Sequence, residues 1–190
     1  MVRDALKWED LVTARTIIAE HTHQQIKQAG STNPACCRKI PKTIVYIDSI
    51  TQVVATAKVL IKVLIQAGCS RTSAEDAVQV YHSELAEFDK KSISAEFVKP
   101  DTESVLQSSK HRIIIATDAM GMGIDNPDVR LVVQWKQPPS MCALLQRAGR
   151  AARGKGVRGE FIWLVEAWCF GDRLESLSQT TNKNRTESKR

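Results

Sequence analysis

Four short runs of β-branched and aliphatic residues constrain this chain more than any other feature. Thr43-Ile44-Val45-Tyr46-Ile47 lies between Pro41 and Asp48-Ser49, and Ile113-Ile114-Ile115-Ala116, Val129 to Trp135 and Phe161 to Val165 follow it. Each is too short for a helix of ordinary length and reads as a strand. Their apolar residues run on rather than alternate, which means burial on both faces and so a parallel sheet. Helical periods fill the gaps. Val53, Val54, Ala57, Leu60, Ile61, Leu64 and Ile65 recur at helical spacing, with Lys58, Lys62 and Gln66 between them and Gly68 as the stop. Ala77 to Tyr81 is a further strand candidate. Ser83 offers a cap for a helix to about Phe97, with Leu85, Phe88, Ile93 and Phe97 turned inward. Pro138-Pro139 ends the strand before it, and Ser140 caps a short helix with Met141, Leu144, Leu145 and Ala148 as its apolar stripe. Strands alternating with helices predict an α/β domain with helices on both faces of a parallel sheet. Such sheets place their sites at the carboxyl ends of the strands.

The rest of the chain frames this domain. Residues 1–20 carry Val2, Leu6, Leu11, Ile17 and Ile18 at helical spacing. His21 to Pro41 is polar and holds Gly30 and Pro34. Residues 1–41 are therefore expected to form an N-terminal helix and linker, 42–170 the domain, and 171–190 a polar, disordered tail. Lys99 to Lys110 reads as a polar loop. At 190 residues the chain is long enough for one domain of ordinary size. Lys plus Arg is 27 against 21 for Asp plus Glu, and the net charge of +6 suits a polyanionic partner. No uncharged apolar window of 18 residues exists, so no membrane span is expected. The N-terminus lacks a hydrophobic signal core, so secretion is not expected. The cysteines, Cys36, Cys37, Cys69, Cys142 and Cys169, are odd in number and form no C-x-x-C pair. Neither a disulfide scaffold nor a cysteine zinc site has support. His21 and His23 have no carboxylate or thiol at metal spacing, so no metal site is expected.

Two glycine patterns are decoys. Gly149-x-x-x-x-Gly154-Lys155 imitates a phosphate loop, but Gly156 stands where a Ser or Thr must hold magnesium, and a helix precedes it. Gly154-x-Gly156-x-x-Gly159 imitates a dinucleotide fingerprint, but a strand follows, so no helix N-terminus receives a pyrophosphate. The chain lacks a Walker A loop and alone makes no ordinary bed for ATP phosphates.

Chemistry concentrates in residues 112–158. Thr117-Asp118 closes a buried strand. Gly121 and Gly123 allow close backbone approach to a ligand, and Asp125 is placed to accept from a sugar hydroxyl. Gln146 to Arg153 reads Q-R-A-G-R-A-A-R. Arg147, Arg150 and Arg153 step by three and are expected along one helical face, where an anion would offset their repulsion. Lys155 and Arg158 extend the run. A solvated basic face is the plainer reading of that run alone.

Q-x-x-G-R-x-x-R some twenty residues after A-T-D-x-x-x-x-G-I-D-x-P-D resembles motifs VI and V of superfamily two helicases. Lys42 to Ser49 resembles motif IV, and Tyr81-His82-Ser83 the strand end that follows it. The wording G-M-G-I-D-N-P-D-V, V-V-Q-W and Q-R-A-G-R-A-A-R-G is most similar to RecQ-like DNA helicases, especially fungal ones. The resemblance covers about residues 42–166.

It implies the second of two RecA-like domains, a P-loop NTPase fold without its own Walker A loop. ATP with Mg2+ would sit between the two, the magnesium held by the first, N-terminal RecA-like domain, which joins in cis or in trans. It further implies an ATP-dependent 3′-to-5′ DNA helicase acting on single-stranded or unwinding duplex DNA, in the nucleus and in DNA repair. By position, Arg150 and Arg153 match the arginine fingers, and Gln146 the residue that bridges to the first domain. Gly123 and Asp125 match the ATP contacts. Thr117 matches a contact to the nucleic-acid backbone; Ser49, His82 and Arg147 are further candidates for that track. Trp135 and Trp163 are expected in the core rather than stacked on bases. No zinc module or winged helix fits after Glu166. Two alternatives remain: a stand-alone nucleic-acid-binding module, and a subunit without ATPase activity of its own that completes an ATP site in trans.

Overall fold

The computed structural model describes residues 36–101, 108–121, 126–151, 153–154 and 158–165. The helix expected over residues 1–20, most of the linker and the tail from 171 lie outside them. After a short 3-10 turn at Cys36–Lys39, the elements are β1 (Thr43–Tyr46), α1 (Ile50–Gln66), α2 (Arg71–Ala77), β2 (Val78–Tyr81), α3 (Glu87–Val98) and β3 (Ile113–Ala116). A second 3-10 turn (Asp118–Gly121) precedes β4 (Leu131–Trp135), α4 (Met141–Ala148) and β5 (Glu160–Leu164). The strands form one sheet in the order β2-β3-β1-β4-β5, parallel throughout.

The register is flush at the carboxyl edge. Tyr46 stands opposite Ala116 and Gln134, and Ala116 opposite Tyr81. The residues that follow therefore emerge side by side: Asp48, His82, Thr117 and Asp118. The aliphatic runs explain why these segments are central strands. All four residues of β1 and of β3 are buried. Val45, Ile113, Ile115, Leu131 and Val133 pack on one face against Val53, Leu60 and Leu64 of α1 and Ala74 and Ala77 of α2. Ile44, Tyr46, Ile114, Val132 and Tyr81 pack on the other against Ile93 and Phe97 of α3. Side chains of this size contribute roughly 1.5–3 kcal/mol each on full burial.

Both ends of α1 follow from sequence. Ser49 is extended (φ −124°, ψ 120°) and its side chain accepts from the Gln52 N–H. At the far end Gly68 has φ +98°. Its N–H donates to Ile65 O (3.0 Å) and that of Cys69 to Leu64 O (3.0 Å), the paired bonds of a Schellman motif. Gly68 thus stops the helix as its sequence position predicts.

Four expectations need correction. α2 has no forecast: Ser70 caps it by accepting from Ser73 N–H, but only two alanines are buried, too little to print a period. Ser83 caps nothing. A turn closed by Leu85 N–H to His82 O (3.2 Å) intervenes, and α3 starts at Glu87 with Ala86 at its N-cap. That start carries Phe88 off the Ile93–Phe97 face, leaving it 81% exposed. Finally, Trp135 packs partly against the core, but Trp163 is 37% exposed, and its indole N–H donates to Lys136 O (3.1 Å). A strand does follow Gly159, and α4 precedes Gly154, as the dismissal of both decoys requires. No described helix is long and apolar enough to cross a membrane.

Candidate functional site

The carboxyl edge gathers most of the described residues singled out by sequence. Its centre is Arg147, only 2% exposed. Its Nη2 donates to Asp48 Oδ1 (2.7 Å) and Asp118 Oδ1 (3.0 Å), and its Nη1 to Gln134 Oε1 (2.7 Å) and Asp48 Oδ2 (3.4 Å). The guanidinium lies 5.0 Å from the Tyr46 ring centroid, within cation–π range. One side chain on α4 thus ties together the ends of β1, β3 and β4. Burial alone would loosen its proton; the hydrogen bonds it donates to Asp48 and Asp118 outweigh burial and hold its pKa above the ordinary value.

This corrects the expectation that Arg147 touches nucleic acid. A buried guanidinium committed to two carboxylates and an amide is not offered to a phosphate. The expected face of three arginines also fails. α4 ends at Ala148 with Gly149 as its cap, and the chain tightens through Arg150 N–H to Arg147 O (3.1 Å) and Ala151 N–H to Ala148 O (3.1 Å). Arg150 and Arg153 therefore ride on a turn beyond the helix. Arg150 is half-buried and Arg153 exposed; the Arg153 Nε donates back to Gly149 O (2.8 Å).

Tyr46 reports how close these groups are. Its side chain is wholly buried, and its hydroxyl has no hydrogen-bond partner among the described residues. Burial pushes its pKa up, while the charges of Arg150, Arg147 and Arg153 pull against the rise. Of the three, Arg147 is the one packed against the ring, and it is Arg147 that Asp48 and Asp118 pair with.

The other candidates distribute as follows. Thr117 is half-buried; its N–H donates to Tyr81 O (3.0 Å) and its Oγ1 accepts from Ala119 N–H (3.4 Å). His82 is half-buried, and its Nδ1 has no partner among the described residues. The Ser49 hydroxyl serves as the α1 cap. Gln146 is exposed on α4. Gly123 and Asp125 lie outside the described residues, as does Lys155. The described edge does not fit a magnesium ion, because both of its carboxylates are paired with Arg147.

Sequence reasoning missed the use made of Asp48, Gln134 and Asp118. A signal existed, since three polar side chains end three central strands opposite one arginine-bearing helix. It also missed a second charged cluster at the amino edge. Lys42 (0% exposed) and Arg112 (2% exposed) immediately precede β1 and β3. The Lys42 Nζ donates to Lys99 O (2.6 Å), lies 3.8 Å from Asp128 Oδ2 and 5.6 Å from the Phe97 ring centroid. Burial lowers its pKa, with the nearby Asp101 and Asp128 opposing. Arg112 grips Asp101 with both Nη atoms, Nη2 at 2.9 Å, and its Nε donates to Ile40 O. Burial alone would raise the Asp101 pKa; the Arg112 hydrogen bonds and charge hold it below the usual carboxylate range.

A flush parallel sheet with helices on both faces and an arginine-rich carboxyl edge defines a RecA-like lobe. The fold is that of known helicase domains: Mss116p DEAD-box helicase domain 2, solved on an RNA duplex, superposes with a TM-score of 0.59 at 18% identity, over 80% of this chain and 50% of that one. The chain belongs to the helicase conserved C-terminal domain family, whose model matches residues 19–155. Among relatives, it is 28% identical over 113 residues to the mouse ATP-dependent DNA helicase Q4, across 55% of this chain and 9% of that protein. It is 35% identical over 82 residues to the RecQ-like DNA helicase blm-1 of Caenorhabditis elegans, across 43% of this chain and 7% of that protein. The matched region is thus less than a tenth of either relative's length.

Proposed function

We propose that this domain is the second RecA-like lobe of an ATP-dependent 3′-to-5′ DNA helicase of RecQ-like, fungal type. In this reading Arg150 and Arg153 are its arginine fingers. The observation that carries the proposal is the turn beyond α4. It carries two arginines directly after Arg147, the buried arginine that pairs with Asp48 and Asp118 at the carboxyl edge. A fixed guanidinium there stabilises the charge that builds on a γ-phosphoryl group during transfer. Gln146, exposed one turn earlier, bridges to the lobe that carries Walker A and magnesium. Gly123 and Asp125 contact the nucleotide. Thr117, with Ser49 and His82 at neighbouring strand ends, lines the DNA track. The RecQ-like wording of the motifs favours DNA, and nuclear DNA repair is the setting it points to.

In the complete ATPase, with the first lobe in cis or in trans, Arg150→Ala should lower DNA-stimulated ATP hydrolysis by about 10³-fold or more. Its melting temperature should stay at the wild-type value, since Arg150 lies outside the core. Unchanged hydrolysis would sink the finger assignment.

A second reading has one observation in its favour, the basic run from Arg150 to Arg158 in a chain of net charge +6. It makes the domain a nucleic-acid-binding module. Binding to single strands that weakens steeply with salt, with no hydrolysis alongside any Walker-bearing lobe, would select it.

A further inference from the structure

We infer that Gln134 is a positioning residue, which orients Arg147 and through it the turn that bears Arg150 and Arg153. The inference rests on the finger reading above.

Gln134 lies in β4 and is completely buried, so it touches neither nucleotide nor nucleic acid. Its carboxamide is used at both ends. Oε1 accepts from Arg147 Nη1 at 2.7 Å. Nε2 donates to Trp135 O at 3.0 Å and Lys136 O at 3.2 Å. Turning the amide over would set its donor against a guanidinium and its acceptor against two carbonyls, so one orientation alone satisfies the site. A leucine would fill the same space without the cost of burying an amide. The amide therefore needs a reason beyond packing.

The far end of the amide is anchored in turn. Lys136 has φ 63°, the left-handed region that a lysine seldom adopts. Its N–H donates to Leu164 O at 2.8 Å, and its carbonyl accepts from the Trp163 indole at 3.1 Å as well as from Gln134. A continuous path therefore runs from Trp163 on β5 through Lys136 and Gln134 to Arg147, and on to Asp48 and Asp118. Four strands converge on one guanidinium. From Arg147 the path passes to the finger turn through its own carbonyl, which accepts the Arg150 N–H at 3.1 Å. Anchoring the Arg147 side chain thus fixes the end of α4 against the sheet, and the turn starts from that end; small misplacements of a catalytic group cost about 10²-fold in rate.

The test is made on the complete ATPase, this domain with its ATP-binding lobe. Gln134→Leu should lower kcat for DNA-stimulated hydrolysis by about 10- to 100-fold, with KM for ATP within about threefold of wild type. Gln134→Glu keeps the acceptor for Arg147 but sets a carboxylate oxygen against the Trp135 and Lys136 carbonyls, so it should recover part of the rate and not all of it. Should the leucine variant not fold, Gln134→Asn, one methylene too short to span both partners, should show the same loss of kcat. Wild-type kcat in the leucine or asparagine variant overturns the inference. So does a loss shared by kcat and the folded fraction alone, which is what a purely structural role would give. If the wild-type assembly hydrolyses no ATP, the finger reading fails, and the clamp is read separately in the 190-residue chain. There the Arg147 guanidinium NMR signals should be split by hindered rotation in wild type, merge in Gln134→Leu and split again in Gln134→Glu. Signals unchanged by Gln134→Leu overturn the clamp itself.

Discussion

At the amino edge of the sheet, Lys42 and Arg112 stand directly before β1 and β3 and are sealed where they stand. Backbone carbonyls of Ile40 and Lys99 and the carboxylates of Asp101 and Asp128 take up their donors. At the carboxyl edge, the Nη atoms of Arg147 are taken up by Asp48, Asp118 and Gln134, while its buried Nε has no partner among the described residues. There the resemblance stops, because two further arginines, Arg150 and Arg153, follow on the turn beyond α4. One edge ends at its buried cations, and the other continues past its buried cation into a basic turn. Buried ion pairs rarely add much net stability over apolar replacements, yet breaking one is costly. The amino edge can therefore be read as cement, and the carboxyl edge as cement beneath a basic turn.

The comparison breaks first where effects are largest. Arg112→Ala leaves Asp101 without its bidentate partner and the buried Ile40 carbonyl without its donor. It should cost about 2–4 kcal/mol of folding stability in chemical denaturation, while any folded fraction keeps its finger turn. Arg147→Ala should cost about as much, but should also disorder the finger turn, visible as broadened amide resonances at Arg150 and Ala151. Equal spectral effects at that turn from both substitutions would erase the distinction between the edges.

A smaller effect tests the scaffold that both edges share. Gly68→Ala forces a Cβ into φ +98°. It should lower stability by about 1 kcal/mol without touching either charged cluster, so nucleic-acid affinity corrected for folded fraction should not move.

The smallest effect is a pH dependence, seated beside the amino edge. His111 is buried with its Nδ1 2.7 Å from Asp76 O, and burial lowers its pKa below the ordinary 6.5. The unfolded chain then takes up a proton more readily than the folded one, so stability falls as pH drops below about 6.5. Asp101, whose folded pKa is depressed, adds a loss that sets in only as pH falls through the carboxylate range. His111→Gln should flatten the melting-temperature profile between about pH 6.5 and 5 and leave the more acidic limb in place. A profile unchanged in both limbs would contradict the assignment.

The sheet was largely legible in the sequence because four strands announce themselves as aliphatic runs between breakers. The register, and with it the shared edge, follows once the strands are parallel and similar in length. α2 was not legible, since a seven-residue helix burying Ala74 and Ala77 leaves no period. The start of α3 was misread because Ser83 looks like a cap and only tertiary contact shows that it is not. The largest gap concerns charge. Arg147 and Asp48 are 99 residues apart, and a periodic pattern on α4 cannot say that one arginine of three turns inward. Lys42 and Arg112 carried a usable sign: each is a cation placed directly before a fully buried strand, in matching register. The motifs singled out Arg147, Arg150 and Arg153 together, but the reason one of them is spent on the scaffold came only from the fold.

The most direct test measures DNA-stimulated ATP hydrolysis and melting temperature side by side for Arg150→Ala and Arg112→Met in the complete ATPase. The account predicts a crossing result. Arg150→Ala loses about 10³-fold in rate at wild-type stability, and Arg112→Met loses stability while each folded molecule keeps its rate. Wild-type hydrolysis in Arg150→Ala, or rate and stability falling together in both variants, would contradict it.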